Sequence, residues 1–153
     1  MSIEIKLKIN GVEEQLSVNP MDTLVNVLRD RLGLVGTNKD CEMGICGACT
    51  VLLEGRPISS CLLLAVQADG SAITTVEGME SGGKLNRVQE AFLRHGAVQC
   101  GYCTPGFITT ATALLEENPK PSRAEITDAI RGNLCRCTGY TKIIDAIESV
   151  ANS

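Results

Sequence analysis

Eight cysteines and their spacing constrain this chain more than any other feature. They fall in two sets. The first is Cys41-x4-Cys46-x2-Cys49, with Cys61 after eleven intervening residues; the second is Cys100-x2-Cys103, with Cys135-x-Cys137 after thirty-one. Eight Cys can form a disulfide scaffold, bind metal, or do both. A disulfide scaffold implies an oxidising compartment and usually a chain too small to build a core unaided. Here 153 residues, 44% of them hydrophobic, suffice for one ordinary domain or two small ones. The start, Met1-Ser-Ile-Glu-Ile-Lys6, has no basic segment leading into an apolar one, and no Asn-x-Ser/Thr sequon occurs. The expectation is a cytoplasmic protein whose clustered thiols are metal-bound or catalytic.

The rest of the composition removes other classes. The net charge is -4 and aromatics are 3%, with no Trp. Nucleic-acid binding needs cationic patches and stacking rings, so no nucleic-acid partner is expected. The longest apolar run, Cys61 to Val66, is six residues, against about 20 for a membrane span. A core so poor in rings must rely on aliphatic side chains or on something that is not a side chain.

The hydrophobic pattern changes character midway. Ile3, Ile5, Leu7 and Ile9 alternate with polar residues as in a half-buried strand. Asn10-Gly11 is a strong hairpin signal, and Val12, Leu16 and Val18 continue as the return strand. Asp22 or Thr23 can cap a helix carrying Leu24, Leu28 and Leu32, stopped by Gly33. Residues 36–49 lack periodicity and hold three Cys. A second hairpin is expected around Glu54-Gly55-Arg56, then a short strand from Ile73 to Val76. Glu77 to Lys84 is apolar-poor and reads as a linker. Beyond it, Leu85/Val88/Phe92, Ile108/Ala111/Leu115, Ile126/Ile130 and Ile143/Ile147/Val150 repeat at helical spacing. Ser122-Arg-Ala-Glu125 is a capping box. The fold class is therefore α+β: a mostly β unit over 1–78, a linker at 79–84 and four short helices over 85–153. Thr104 and Thr138 each follow a Cys pair, as plausible N-caps of helices around one shared site.

The first cysteine set has the spacing of plant-type [2Fe-2S] ferredoxins. One irregular loop must wrap a small flat cluster, and Gly44 and Gly47 between the ligands let the backbone come close and aim N–H groups at sulfur. A zinc knuckle would more often use two C-x2-C pairs. In the second set, Cys100-Gly-Tyr-Cys103 alone could be a redox pair. That reading wants a preceding strand and leaves Cys135 and Cys137 without a role. Four thiolates at the starts of two helices suit an anionic cluster. Two such clusters would add about -4 to the formal charge, each core of about +2 gathering four thiolates.

Three stretches carry a resemblance: Cys41-Glu-Met-Gly-Ile-Cys46-Gly-Ala-Cys49-Thr50, Gln99-Cys100-Gly-Tyr-Cys103-Thr-Pro-Gly106 and Gly132-Asn-Leu-Cys135-Arg-Cys137-Thr-Gly-Tyr140. Over nearly the whole chain, and in motif order, the sequence resembles the small iron-sulfur subunit of the molybdenum hydroxylases, the xanthine dehydrogenase and aldehyde oxidoreductase family. The resemblance implies a plant-ferredoxin-like (β-grasp) domain holding one [2Fe-2S] cluster on Cys41, Cys46, Cys49 and Cys61. It implies an all-α four-helix domain holding another on Cys100, Cys103, Cys135 and Cys137. It further implies a large subunit carrying molybdopterin-molybdenum, contacted by Gln99 and Cys137, and a medium subunit carrying FAD near the first cluster. From position alone, Gln99 is equally a solvated residue. Ile45 departs from the polar residue or Gly often found there in the family.

The resemblance thus implies an electron-transfer subunit of an oxidoreductase complex, with no substrate chemistry and no catalytic residue of its own. Two rivals remain at this point: a free-standing ferredoxin-like carrier and a zinc-stabilised interaction module. His95 reads as a helix-end residue. Tyr102 and Tyr140 read as shields for the Cys loops, and Lys39, Arg123, Arg131 and Arg136 as surface or interface charges.

Overall fold

A computed structural model describes residues 1–153. Strands β1 (Ile3–Ile9) and β2 (Val12–Val18) form the first hairpin, paired antiparallel from Ile3↔Val18 to Ile9↔Val12. Its turn residues both have positive φ, 51° at Asn10 and 86° at Gly11, as a twisted two-residue turn requires. Helix α1 (Leu24–Asn26) continues as a π-helical turn over Val27–Arg31. Strands β3 (Thr50–Leu53) and β4 (Arg56–Ser59) make the second hairpin, and β5 (Ala72–Thr74) is short. The sheet order is β2-β1-β5-β3-β4. It is mixed: β1 and β5 run parallel, and the other pairs antiparallel.

Ile5, Leu7 and Ile9 are buried on the inner face of β1 with Leu24, Val27 and Leu28 from the α1 region. The alternation of β1 aims its apolar side chains at one face, and α1 covers that face. Val25 extends the contact to Cys49 and Cys61, so the helix also supports the first cysteine set.

After β5, residues Val76–Met79 form a 3-10 turn rather than strand or open linker. Glu77 fixes it: its carboxylate accepts from the Gly36 amide at 2.7 Å and the Thr75 hydroxyl at 2.6 Å. Helices α2 (Arg87–Arg94), α3 (Thr104–Glu117), α4 (Arg123–Ala129) and α5 (Thr141–Ala151) follow. They share a second core of Val88, Phe92, Phe107, Ile126, Ile143 and Ile147, among others. Arg123 ties α4 to α5 through Asp145 at 2.8 Å and Glu148 at 2.6 Å. Each half therefore buries its own apolar face, and α3 lies against β3 and β4 where the halves meet. No helix is long and apolar enough to cross a membrane.

Candidate metal centres

The loop before β3 carries Cys41, Cys46 and Cys49, and the end of the second hairpin brings Cys61 to them. Gly44 and Gly47 both have φ near 71°. That left-handed backbone turns amides inward: those of Met43, Ile45 and Cys46 each reach Cys41 Sγ at 3.4 Å. The Met43 amide, followed by those of Cys46 and Ile45, lowers the Cys41 thiol to about 7. Burial instead pushes Cys46 up, and pushes Cys61 up to about 11.

The second set assembles from the loop before α3 and the loop before α5. Burial pushes Cys103 up to about 12. Burial is also the largest influence on Cys135 and would raise it. The Thr138 hydroxyl at 3.1 Å, its amide at 3.3 Å and the Cys137 amide at 3.4 Å together hold that thiol below its ordinary value. The hydrogen bond between Cys137 and Cys100 is the first cause of a raised Cys137 thiol.

All eight cysteines are free thiols, and they associate in pairs: Cys41 with Cys46, Cys49 with Cys61, Cys103 with Cys135, and Cys100 with Cys137. The Cys100 and Cys137 sulfurs are 3.6 Å apart. A disulfide would hold them at about 2.05 Å. Two sulfurs on one tetrahedral metal with bonds of about 2.3 Å would lie about 3.8 Å apart. Two pairs per set suit a two-metal core better than one zinc. Buried thiols such as Cys61 and Cys103 become favourable thiolates only beside a cation, which such a core supplies.

Sequence reasoning named all eight cysteines, and the fold gathers them as the two expected sets. Gln99 and Cys137 lie on the exposed border of the second set, beside exposed Cys100. The Thr caps differ from expectation. Helix α3 starts at Thr104 after Cys103, and α5 starts after Tyr140, whose φ is 68°. Thr138 does not cap because the N-cap position falls at Tyr140; its hydroxyl donates to Cys135 Sγ and accepts from the Tyr140 amide at 3.2 Å. Tyr140 serves the loop directly: its hydroxyl accepts from the Cys135 amide at 3.0 Å, and its ring meets Phe107 edge-on at 6.1 Å. Tyr102 ties the two loops, donating to the Lys39 carbonyl at 2.6 Å and accepting at its own carbonyl from Asn38 at 2.8 Å. His95 ends α2 and is exposed.

One residue escaped the sequence reading. Asn133, buried between the two loops, donates to the Gly47 carbonyl at 3.1 Å and the Thr50 hydroxyl at 3.3 Å, and accepts from the Thr110 hydroxyl at 2.9 Å. Next to it, the Leu134 amide donates to the Cys46 carbonyl at 2.8 Å. The only sequence signal was an Asn set directly into a cysteine motif.

Residues 7–75 match a family described as a 2Fe-2S iron-sulfur cluster binding domain, and residues 75–148 match one described as a [2Fe-2S] binding domain. The nicotinate dehydrogenase small FeS subunit of Eubacterium barkeri is 50% identical, covering 95% of this chain and 92% of that one. The nicotine 6-hydroxylase small subunit of Paenarthrobacter nicotinovorans is 49% identical, covering 95% and 87%. Among solved structures, quinoline 2-oxidoreductase from Pseudomonas putida 86 superposes with a TM-score of 0.95 at 51% identity, covering 98% of this chain and 93% of that chain. The aldehyde oxidoreductase of Desulfovibrio gigas gives 0.93 at 42% identity, covering 97% of this chain but only 17% of that far longer one.

Proposed function

From a chain that belongs to the iron-sulfur subunit family of the molybdenum hydroxylases, and is an electron-transfer subunit of an oxidoreductase, we infer a specific division of labour. Cys41, Cys46, Cys49 and Cys61 hold one [2Fe-2S] cluster; Cys100, Cys103, Cys135 and Cys137 hold the other. We read 1–78 and 85–153 as two domains, the first ferredoxin-like and the second a four-helix unit, joined by 79–84. The observation that carries the assignment is the pairing of the thiols, above all Cys100 and Cys137 at 3.6 Å. When bound, such clusters supply reversible one-electron transfer.

The residues around them do the rest. The amides of Met43, Ile45 and Cys46, and the Thr138 hydroxyl and amide, offset negative charge on sulfur. Exposed Gln99, whose amide can both donate and accept, and Cys137 meet molybdopterin on a large partner subunit. Exposed Met43, Ile45 and Leu62 border the first set and face a medium FAD-binding subunit. That the matching segment is 17% of the Desulfovibrio gigas polypeptide supports a role attached to much larger machinery, not as a free carrier. The compartment is cytoplasmic, in keeping with eight free thiols.

The test is compositional. Anaerobically purified protein should hold about four irons and four acid-labile sulfides per chain, as two [2Fe-2S] clusters, and be red-brown. Half that iron, or stoichiometric zinc in a colourless protein, overturns the assignment.

A further inference from the structure

Outside the cysteines, one buried side chain bonds to three residues on two segments remote from it in sequence. Asn133 is 4% exposed. Its Oδ1 accepts from Thr110 on α3, and its Nδ2 donates to the Gly47 carbonyl and to Thr50 at the start of β3. Gly47's carbonyl can only accept, so the amide has one workable orientation. The backbones here are in direct contact. A Cβ on Gly106 would overlap the Gly47 carbonyl, and one on Gly47 would overlap the Gly132 carbonyl and Asn133 itself. Asn133 thus fastens the loop carrying Cys46 to the loop carrying Cys135 where the two backbones leave no room for a Cβ.

We propose that Asn133 is the positioning residue for electron transfer between the two clusters. It keeps closed the Leu134 N–H to Cys46 C=O hydrogen bond that joins the two ligand sets. This rests on the assignment of both sets as cluster ligands. The bond, at 2.8 Å, is the one backbone hydrogen bond crossing between the two loops. It connects Cys46 itself with the neighbour of Cys135, so it replaces a gap that an electron would otherwise cross through space. Leu134 is 49% exposed, so the bond lies at the solvent side of the seam, from which it can open. Asn133, anchored from the buried side, opposes that opening.

The test uses the full chain, cluster-loaded, in its assembled complex. Wild type must first show four irons and two distinct paramagnetic signals after reduction; failure there sinks the ligand assignment rather than this role. With that in hand, Asn133→Ala should leave the g-values and midpoint potentials of both clusters unchanged. The Leu134 amide should exchange about tenfold faster by mass spectrometry, in keeping with the loss of two or three buried hydrogen bonds. Equilibration between the clusters after flash photoreduction should slow several-fold, because the hydrogen-bonded contact that shortens the path is opened. Wild-type exchange and rate in this variant overturn the proposal, as does a shifted potential with an unchanged rate. If Asn133→Ala does not assemble, Thr110→Val decides. It removes only the partner of Oδ1 and should produce smaller changes in the same direction; wild-type behaviour there also overturns the proposal.

Discussion

Gly47 and Gly55 share a left-handed backbone, with φ of 71° and 78°, but sit in different surroundings. A side chain at Gly55 would meet nothing within 4 Å, whereas one at Gly47 would strike the Gly132 carbonyl and Asn133. Gly55→Ala should therefore cost only the left-handed strain of about 1–2 kcal/mol. Gly47→Ala should cost at least about 2 kcal/mol more, as an overlap with backbone forces the loops apart. Thermal midpoints of the two variants, recorded at one scan rate, make the comparison, and equal midpoints would refute the tight approach. The cysteines were legible because a ligand set leaves its spacing in the sequence. Asn133 was not, because its partners Gly47 and Thr50 lie 86 and 83 positions away. Thr138 reads as a cap because Thr at a loop–helix junction usually is one, but α5 begins three residues beyond it, after the left-handed Tyr140.

Among the elements, those with a strict period were readable. The Asn10-Gly11 hairpin and the Ser122 capping box formed as expected: the Ser122 amide and hydroxyl each donate to Glu125 at 2.7 Å. A second capping box, Asn86 with Gln89, starts α2 at Arg87, so Leu85 of the apolar repeat lies before the helix. The 3-10 turn at Val76–Met79 was not readable, since the Glu77 contact that fixes it comes from Gly36. The Ser122 hydroxyl, followed by its amide, holds the Glu125 carboxyl below the usual range. A depressed folded value stabilises α4 above the unfolded pKa and loses that effect as pH falls through the folded one. The lead in thermal midpoint of wild type over Glu125→Gln should be constant above about pH 5 and shrink below about pH 4. An unchanged lead at low pH would show that the charge does not matter there. The cysteine loops behave differently, having few apolar side chains of their own: Met43 and Ile45 are exposed. Their order is therefore expected to depend on bound metal. After chelation, hydrogen exchange should rise across residues 35–61 and around Cys135, while the core of α2, α3 and α5 stays protected. Full protection of the loops without iron would contradict this.

At the scale of the whole molecule, two cores are joined at a seam that both cysteine loops share. Each set has its own exposed border, Gln99, Cys100 and Cys137 for one and Met43, Ile45 and Leu62 for the other. They are joined by the hydrogen bond from the Leu134 amide to the Cys46 carbonyl. A chain with two borders and one internal junction is arranged to pass electrons through, entering at one border and leaving at the other. If Gln99 and Cys137 meet the molybdenum side, the second set is the entry. Cys103→Ser, in an assembled complex, should then block or strongly slow reduction by substrate of the cluster on Cys41, Cys46, Cys49 and Cys61. Cys49→Ser should leave reduction of the other cluster intact, because nothing upstream of it has changed. The asymmetry between the two variants carries the argument, since damage to folding alone would impair both. Rapid-freeze electron paramagnetic resonance separates the two signals. Reduction of the N-terminal cluster at the wild-type rate in the Cys103→Ser complex would reverse the order or route electrons past the second set altogether.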